Sequence, residues 1–435
     1  MRKHFTWILI VLWIGILIFS CRKKEEYNPV DVLLISPEEN SLLKLPDTLL
    51  VEFKITTDKK VDFAAITIVN KNYTPLFGTK YINDPPTGEL ISKLIVINAL
   101  QHTGDVPYYI LISVKSGEET EQNYFNIRLT NRPLNYKGFY AFVKFSVHET
   151  SIDFYDQEME KTSFATTEGD YLNSDISGFY GNLFLTTGMP EKLIAFDLFD
   201  QQTVWEAEPL MPYPGFSDLY AKDSRIYAAM GNGQVAGYAG LNGQLQFVAE
   251  RQNDSVPGKI IVLDEYLIGY YRSRLNARKS LVSFYMATGV KKHQYPVDFE
   301  VVSLLKHAEP DKSYVFGNSD GEGIVAVFIP DENYLGEEHR FSFGTVDAVC
   351  KTGDEEFVVL SGHRLYVYNE PLHQERLLKT IEDSAFCVKY EEVSSRLYVL
   401  FRDKLLIYAY PGMDEIYSTD FDFPLKGIEF YYRYE

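Results

Sequence analysis

The chain has 435 residues, of which 46% are hydrophobic and 15% aromatic, enough material for two or more domains with sizeable cores. Its 61 Asp and Glu outnumber 42 Lys and Arg, for a formal net charge of −19. A body this acidic repels phosphate backbones, which argues against nucleic acid as a partner, and a total of three cysteines excludes a disulfide scaffold.

At the N-terminus Arg2, Lys3 and His4 precede an apolar run from Phe5 to Phe19. Ser20-Cys21 and the charged string Arg22-Lys23-Lys24-Glu25-Glu26 follow. A positive start, a short apolar stretch and a small residue before a cut are the marks of a signal peptide. The run is also shorter than the roughly 20 residues that a membrane span needs. Ile18-Phe19-Ser20-Cys21 resembles the lipobox of Gram-negative lipoproteins. That resemblance implies that residues 1–20 are removed, that the Cys21 thiol takes a diacylglycerol and its amine an acyl chain, and that residues 21–30 form a tether. Several chains hold a protein where one gives only reversible binding. The implied location is the outer membrane. Lys24-Glu25-Glu26 resembles the acidic tag that sends some such lipoproteins to the cell exterior, although a plain solvated tether has the same composition. Loss of Arg2 and Lys3 makes the mature chain still more acidic, which keeps it from lying flat on an anionic bilayer.

From Asp31 to Asn131 short alternating runs appear: Val32 to Ile35, Leu49 to Ile55, Phe63 to Val69, Leu94 to Ile97, Tyr108 to Val114 and Tyr124 to Leu129. Turn formers such as Asp84-Pro-Pro-Thr-Gly88 and Ser116-Gly117 separate them. Six strands with room for a seventh in this span is the pattern of an immunoglobulin-like sandwich. The Cys-Trp-Cys signature of antibody domains is missing, so the resemblance is to the fibronectin or PKD-like kind. Tyr108 or Tyr109 would serve there either as a tyrosine corner or as ordinary core. Asn131-Arg-Pro-Leu-Asn135 then reads as a linker.

Residues 136–435 carry an internal repeat. Phe154, Phe196, Tyr238, Phe284, Phe328, Tyr368 and Tyr408 recur at intervals of about 40 to 46 residues, each in a strand-like run that leads into a tight polar turn. A second set, Phe142, Phe184, Tyr227, Tyr266, Tyr314, Phe357 and Tyr398, precedes the first. Four strands per repeat in tandem is the signature of a β-propeller. One small sheet cannot bury both faces alone, whereas a ring of sheets buries each face against a neighbour. The recurring aromatics are accordingly core residues. The first repeat lacks an inner strand, and the chain ends in one without a following blade, Leu425 to Arg433. The predicted fold class is therefore all-β, an N-terminal immunoglobulin-like sandwich followed by a seven-bladed propeller closed by pairing of its N- and C-terminal strands.

The repeat resembles the YVTN and quinoprotein-like propellers over roughly the last two thirds of the chain. Only Trp205 fills the Trp slot of those blades and only Thr288-Gly289 matches their turn, which speaks against a quinone cofactor. No cofactor is expected. Gly-His with Trp-Asp pairs of the WD40 kind are absent, and Ser361-Gly-His363 reads as a turn.

Catalytic motifs are thin. Gly317-Asn-Ser-Asp-Gly321 fits a nucleophile-elbow pattern, but a strand-like run follows where a helix is required, so it reads as a hairpin turn. Glu337-Glu338-His339 and His373-Gln-Glu375 read as exposed turns, not metal ligands. Cys350 and Cys387 lie in apolar strand contexts and read as buried small hydrophobes, the alternative being one disulfide between neighbouring blades. Asp170, Asp254, Asp298, Asp383 and Asp422 recur where a fourth strand turns toward the next inner strand, near Tyr171, Tyr213, Phe216, Phe299 and Phe423. Carboxylates at a channel mouth would bind a cation or sugar hydroxyls and the aromatics would stack on a ligand, although Asp also simply suits tight turns. The expected function is a non-enzymatic binding or scaffold lipoprotein that takes a protein or glycan ligand at a propeller face, accessory to nutrient capture. The alternatives are a structural part of an outer-membrane assembly, or a propeller lyase, glycosidase or peptidase.

Overall fold

The computed structural model describes residues 30–45, 47–71, 73, 75–76, 78–97, 107–146, 148–177, 181–210, 215–222 and 224–434. The chain divides into two compact units, Met1–Arg132 and Pro133–Glu435. Among the described residues every helix or strand element is a strand, so the fold is all-β.

The N-terminal unit holds β1 (Asp31–Ser36), β2 (Leu42–Leu45), β3 (Asp47–Thr56), β4 (Phe63–Val69), β5 (Lys80–Asn83), β6 (Leu90–Ile97), β7 (Tyr108–Ser116) and β8 (Glu119–Asn131). They form two sheets, ordered β1-β3-β6 and β2-β8-β7-β4-β5. Period-two patterning decides which face is buried: in β7 the side chains of Tyr108, Ile110, Ile112 and Val114 are inside while those between them are partly exposed. Val51, Phe53 and Ile55 of β3 meet Ile66 and Ile68 of β4 in one shared core. Tyr108 is core, whereas Tyr109 stands on the opposite face against Tyr73 and Tyr124, at ring distances of 6.0 and 6.1 Å. Two strands were not legible as alternating runs, β2 and β5. Each has four residues, and β2 runs parallel to the end of β8. The linker is shorter than its composition suggests. Asn131 ends β8, the next strand starts at Leu134, and Arg132 is held by Asp47 at 3.1 Å.

In the C-terminal unit the described residues form seven four-stranded antiparallel sheets. Six are consecutive in the chain and open with Tyr171–Ser177, Phe216–Lys222, Ser255–Val262, Glu300–Lys306, Ala348–Lys351 and Cys387–Glu391. These are the second to seventh sheets. The first sheet takes its corresponding strand from the far end of the chain: Leu425–Tyr434 pairs with Leu134–Ser146, placing Ile428 opposite Ala141 and Phe430 opposite Phe139.

The packing explains why middle strands read as unbroken apolar runs. Phe357 to Leu360 and Leu365 to Tyr368 of the sixth sheet are buried on both faces, while its fourth strand, Gln374–Thr380, is mostly exposed or half-exposed. Seven apolar clusters lie between consecutive sheets. The last joins Leu400 and Ile407 of the seventh sheet to Phe139 and Ile428 of the first, so the succession is cyclic. The recurring aromatics fill these interfaces: all of the second-strand set are buried, as are six of the third-strand set, Phe154 being half-buried. Trp205 donates its indole N–H to Gly240 O of the next sheet at 2.8 Å. Gly243 (φ 67°) must be glycine there, because a Cβ would stand 2.7 Å from the Trp205 ring.

The Gly317 to Gly321 string closes a hairpin with positive φ at Asp320 and Gly321, and a strand follows it, Glu322–Ile329. Of the two histidine motifs, His373 is the exposed turn residue expected, whereas His339 and Glu375 differ from the sequence reading. His339 and Glu375 are not exposed turn residues; they lie in strands of the fifth and sixth sheets, only 20% and 13% exposed, with Nε2 to Oε1 at 2.8 Å. Aromatic packing draws them in, since His339 stacks on Tyr368 at 5.1 Å.

Candidate functional site

Alternation of strand direction fixes what shares an end of the ring. In each antiparallel sheet, the turn from second to third strand and the connection from the fourth strand to the next sheet lie at the same end. Asp170, Asp254, Asp298, Asp383 and Asp422 all fall in those connections. Asp170 Oδ1 forms an ion pair with Lys144 Nζ at 2.8 Å, with His148 Nδ1 at 3.9 Å from its other oxygen. Asp254 sits at φ 61°, a conformation Asp tolerates, and its carbonyl accepts the Arg274 N–H at 2.7 Å. Asp298, Asp383 and Asp422 are exposed. Among the described residues no group of three His, Cys, Asp or Glu side chains is placed to hold a metal ion.

The aromatics divide. Phe216 and Phe299, only 5% and 3% exposed, pack into the cores between sheets, so their rings are not available to stack on a ligand. Phe216 opens the first strand of the third sheet, and Phe299 lies in the connection just before Glu300–Lys306; both rings turn into the core between two sheets. Tyr171 is half-buried with its hydroxyl 2.9 Å from Ser174 Oγ, and Phe423 is 41% exposed against Phe145. Tyr213 and Cys21 lie outside the described residues.

Two cavities open at this end. One of about 630 Å³ is lined by Asp254 with Asn253, Asn276, Arg278, Lys279 and Gln294, a set of hydroxyl- and amide-matching groups. The other, of about 660 Å³, is lined by Lys144, Ser146, Phe386, Arg402, Pro424 and Lys426, together with Leu425. Both volumes fall in the range of about 300–1,000 Å³ typical of small-molecule sites.

Beneath the loops the first strands of the sheets carry a charged network that sequence reading missed. Lys389 of the seventh sheet donates to Ile428 O at 2.7 Å and Glu429 Oε2 at 2.8 Å in the C-terminal strand. Ser174 Oγ of the second sheet donates to Glu429 Oε1 at 2.8 Å. Asp175 accepts the Ala221 N–H of the third sheet at 2.6 Å, and Asp218 accepts the Ile260 N–H of the fourth at 2.8 Å, with Lys259 at 3.5 Å. Each carboxylate thus staples its own first strand to the next. The signal in the sequence was a charge within a strand-like run, Asp175 alone in Tyr171–Ser177 and Lys389 beside Glu391 in Cys387–Glu391.

Asp175 is enclosed by protein although water reaches part of it. Burial first, and then the nearby Glu429, push its carboxyl up to about 7. The folded state therefore keeps a proton that the unfolded chain releases near pH 4, so this stabilisation is complete below about pH 4 and is lost as pH rises toward 7. Asp175→Asn keeps an acceptor for Ala221. The expected result is that the melting temperature of the wild type falls relative to this variant between pH 4 and 7; parallel curves across that window would show that Asp175 is ionised throughout.

Cys350 and Cys387 stand on the first strands of the sixth and seventh sheets as free thiols. Burial raises both above the ordinary thiol range, which makes them poor nucleophiles.

No family model and no curated protein matches the chain. Among solved structures the chain is similar to the computationally designed Ika8 protein, at 11% identity and a TM-score of 0.48, over 67% of this chain and 89% of that one.

Proposed function

We propose that this chain is a cell-surface lipoprotein that binds ligands without transforming them. In this reading the C-terminal unit is a seven-bladed β-propeller with YVTN-like blades, and the N-terminal unit is an immunoglobulin-like sandwich that comes, in chain order, between a lipidated Cys21 and the ring. The ligand is a glycan or peptide taken at the loop end, in service of nutrient uptake.

The observation that carries the reading is the pair of ligand-sized cavities at one end of the cyclic array. Beneath that end the charged groups are engaged in joining strand to strand, which is the work of a scaffold. Recognition on a rigid ring needs only polar and aromatic groups held in place by sheets that do not move.

The test uses the full acylated protein. Radiolabelled palmitate is expected on the wild type and not on Cys21→Ala, and a glycan array and peptide pool are expected to return a saturable ligand. A protein that takes no label, or one that binds nothing on either panel, overturns the proposal.

A further inference from the structure

We propose that the cavity lined by Lys144, Ser146, Phe386, Arg402 and Lys426 is a binding site for an anionic saccharide, one that carries carboxylates on its sugar rings. The inference rests on the capture reading above and names its ligand class.

The charge of this cavity runs against that of the molecule. The chain has 61 acidic and 42 Lys and Arg residues, yet the cavity lining contains three cations and no carboxylate. Lys144 is held in position by Asp170 at 2.8 Å. Arg402 and Lys426 make no ion pair among the described residues, which leaves two positive charges for an incoming anion. A guanidinium fork matches a carboxylate through two parallel hydrogen bonds, and an ammonium adds a charge that tolerates several orientations. Ser146 supplies a hydroxyl to the same space.

The apolar component is aromatic. Phe386 lines the cavity with 41% of its surface exposed. Phe145, between the two lining residues Lys144 and Ser146, is 50% exposed and meets Phe423 at 5.1 Å. Exposed rings beside cations match a ligand with both an apolar ring face and negative charge, which is the chemistry of a sugar acid; a bare phosphate would have no use for the rings.

The walls are fixed before any ligand arrives. The Lys144 N–H donates to Pro424 O at 2.9 Å, the Leu425 N–H to Arg402 O at 2.6 Å and the Phe386 N–H to Leu400 O at 2.9 Å. Four segments, around Lys144, Phe386, Arg402 and Pro424, are thereby pinned around one space, which lowers the ordering cost of binding. Asp383 and Asp422 lie in the same connections as Phe386 and Pro424 but do not line the cavity.

Calorimetric titration of the full acylated protein in detergent, with a galacturonic acid hexamer, a neutral glucose hexamer and inorganic phosphate as probes, tests the assignment. The acidic hexamer is expected to bind, to weaken as salt rises, and to lose at least 10-fold in affinity in the Arg402→Gln/Lys426→Gln double variant, while Glu332→Gln, at an exposed turn residue that lines neither cavity, leaves it unchanged. Circular dichroism of the double variant checks that its fold is intact, and Phe386→Ala supplies an independent loss. No binding of the acidic hexamer, or equal binding by the double variant, overturns the site. Phosphate binding as tightly as the hexamer overturns the saccharide assignment. If the acidic hexamer fails to bind or binds wild type and double variant alike while the neutral hexamer binds both, capture stands and this site falls.

Discussion

Removal of residues 425–434 is expected to yield a protein that aggregates instead of a destabilised monomer. Leu425 and Ile428 are 2% and 0% exposed and Phe430 and Tyr432 are half-buried, so their loss removes about 6–10 kcal/mol of apolar burial, comparable with the whole stability of a domain. The deletion also opens the long strand Leu134–Ser146 as an unpaired edge, a template for pairing with other chains. Gel filtration and a thermal melt decide it: a soluble monomer that melts where the full chain does would mean that the terminal strand is dispensable. Ile428→Asp places one charge at the same fully buried position and is expected to reproduce much of the effect.

Lys389→Met is expected to destabilise the protein measurably, because it leaves Glu429 without the ammonium that pairs with it. The side chain lies between the first strand of the seventh sheet and Glu429, with a second carboxylate at Asp175 nearby. Breaking one partner out of a buried pair costs about 3–5 kcal/mol. The loss here should sit at the lower end, because 31% of the Lys389 side chain still meets solvent. The double variant Lys389→Met/Glu429→Gln removes the orphaned charge and is expected to recover a measurable part of the stability. Denaturant melts of the three variants form the cycle, and additive losses would show that the pair is not coupled.

How much was legible can be judged from particular residues. The cyclic order was readable because Tyr368 and Tyr408 occupy equivalent third-strand positions, and packing between sheets demands bulk at those positions in every repeat. The terminal clasp was readable for a topological reason: the run from Leu425 had no strands after it and Leu134–Ser146 had none before it in its sheet. Short edge strands were not readable, since β2 and β5 bury little and need no pattern. The aspartates of the connections were found by their regular spacing. That spacing reports the turn, and of the five only Asp254 lines either of the two cavities described above. Asp175 left a trace as a lone charge in its strand, but its bond could not be read, because the partner is a main-chain N–H on another sheet. The basic cavity was invisible because Lys144, Arg402 and Lys426 come from three separated segments whose meeting depends on the clasp.

The two tyrosine hydroxyls that meet at 2.7 Å, Tyr136 and Tyr398, are 262 positions apart. Such a distant contact forms late, since loop closure must precede it. During synthesis the earlier sheets therefore emerge and stack with the circle still open, because the first sheet lacks one of its four strands until Leu425–Tyr434 is made. The Tyr136–Tyr398 contact is thus a seal between the first and seventh sheets, made by side chains from opposite ends of the C-terminal unit's sequence.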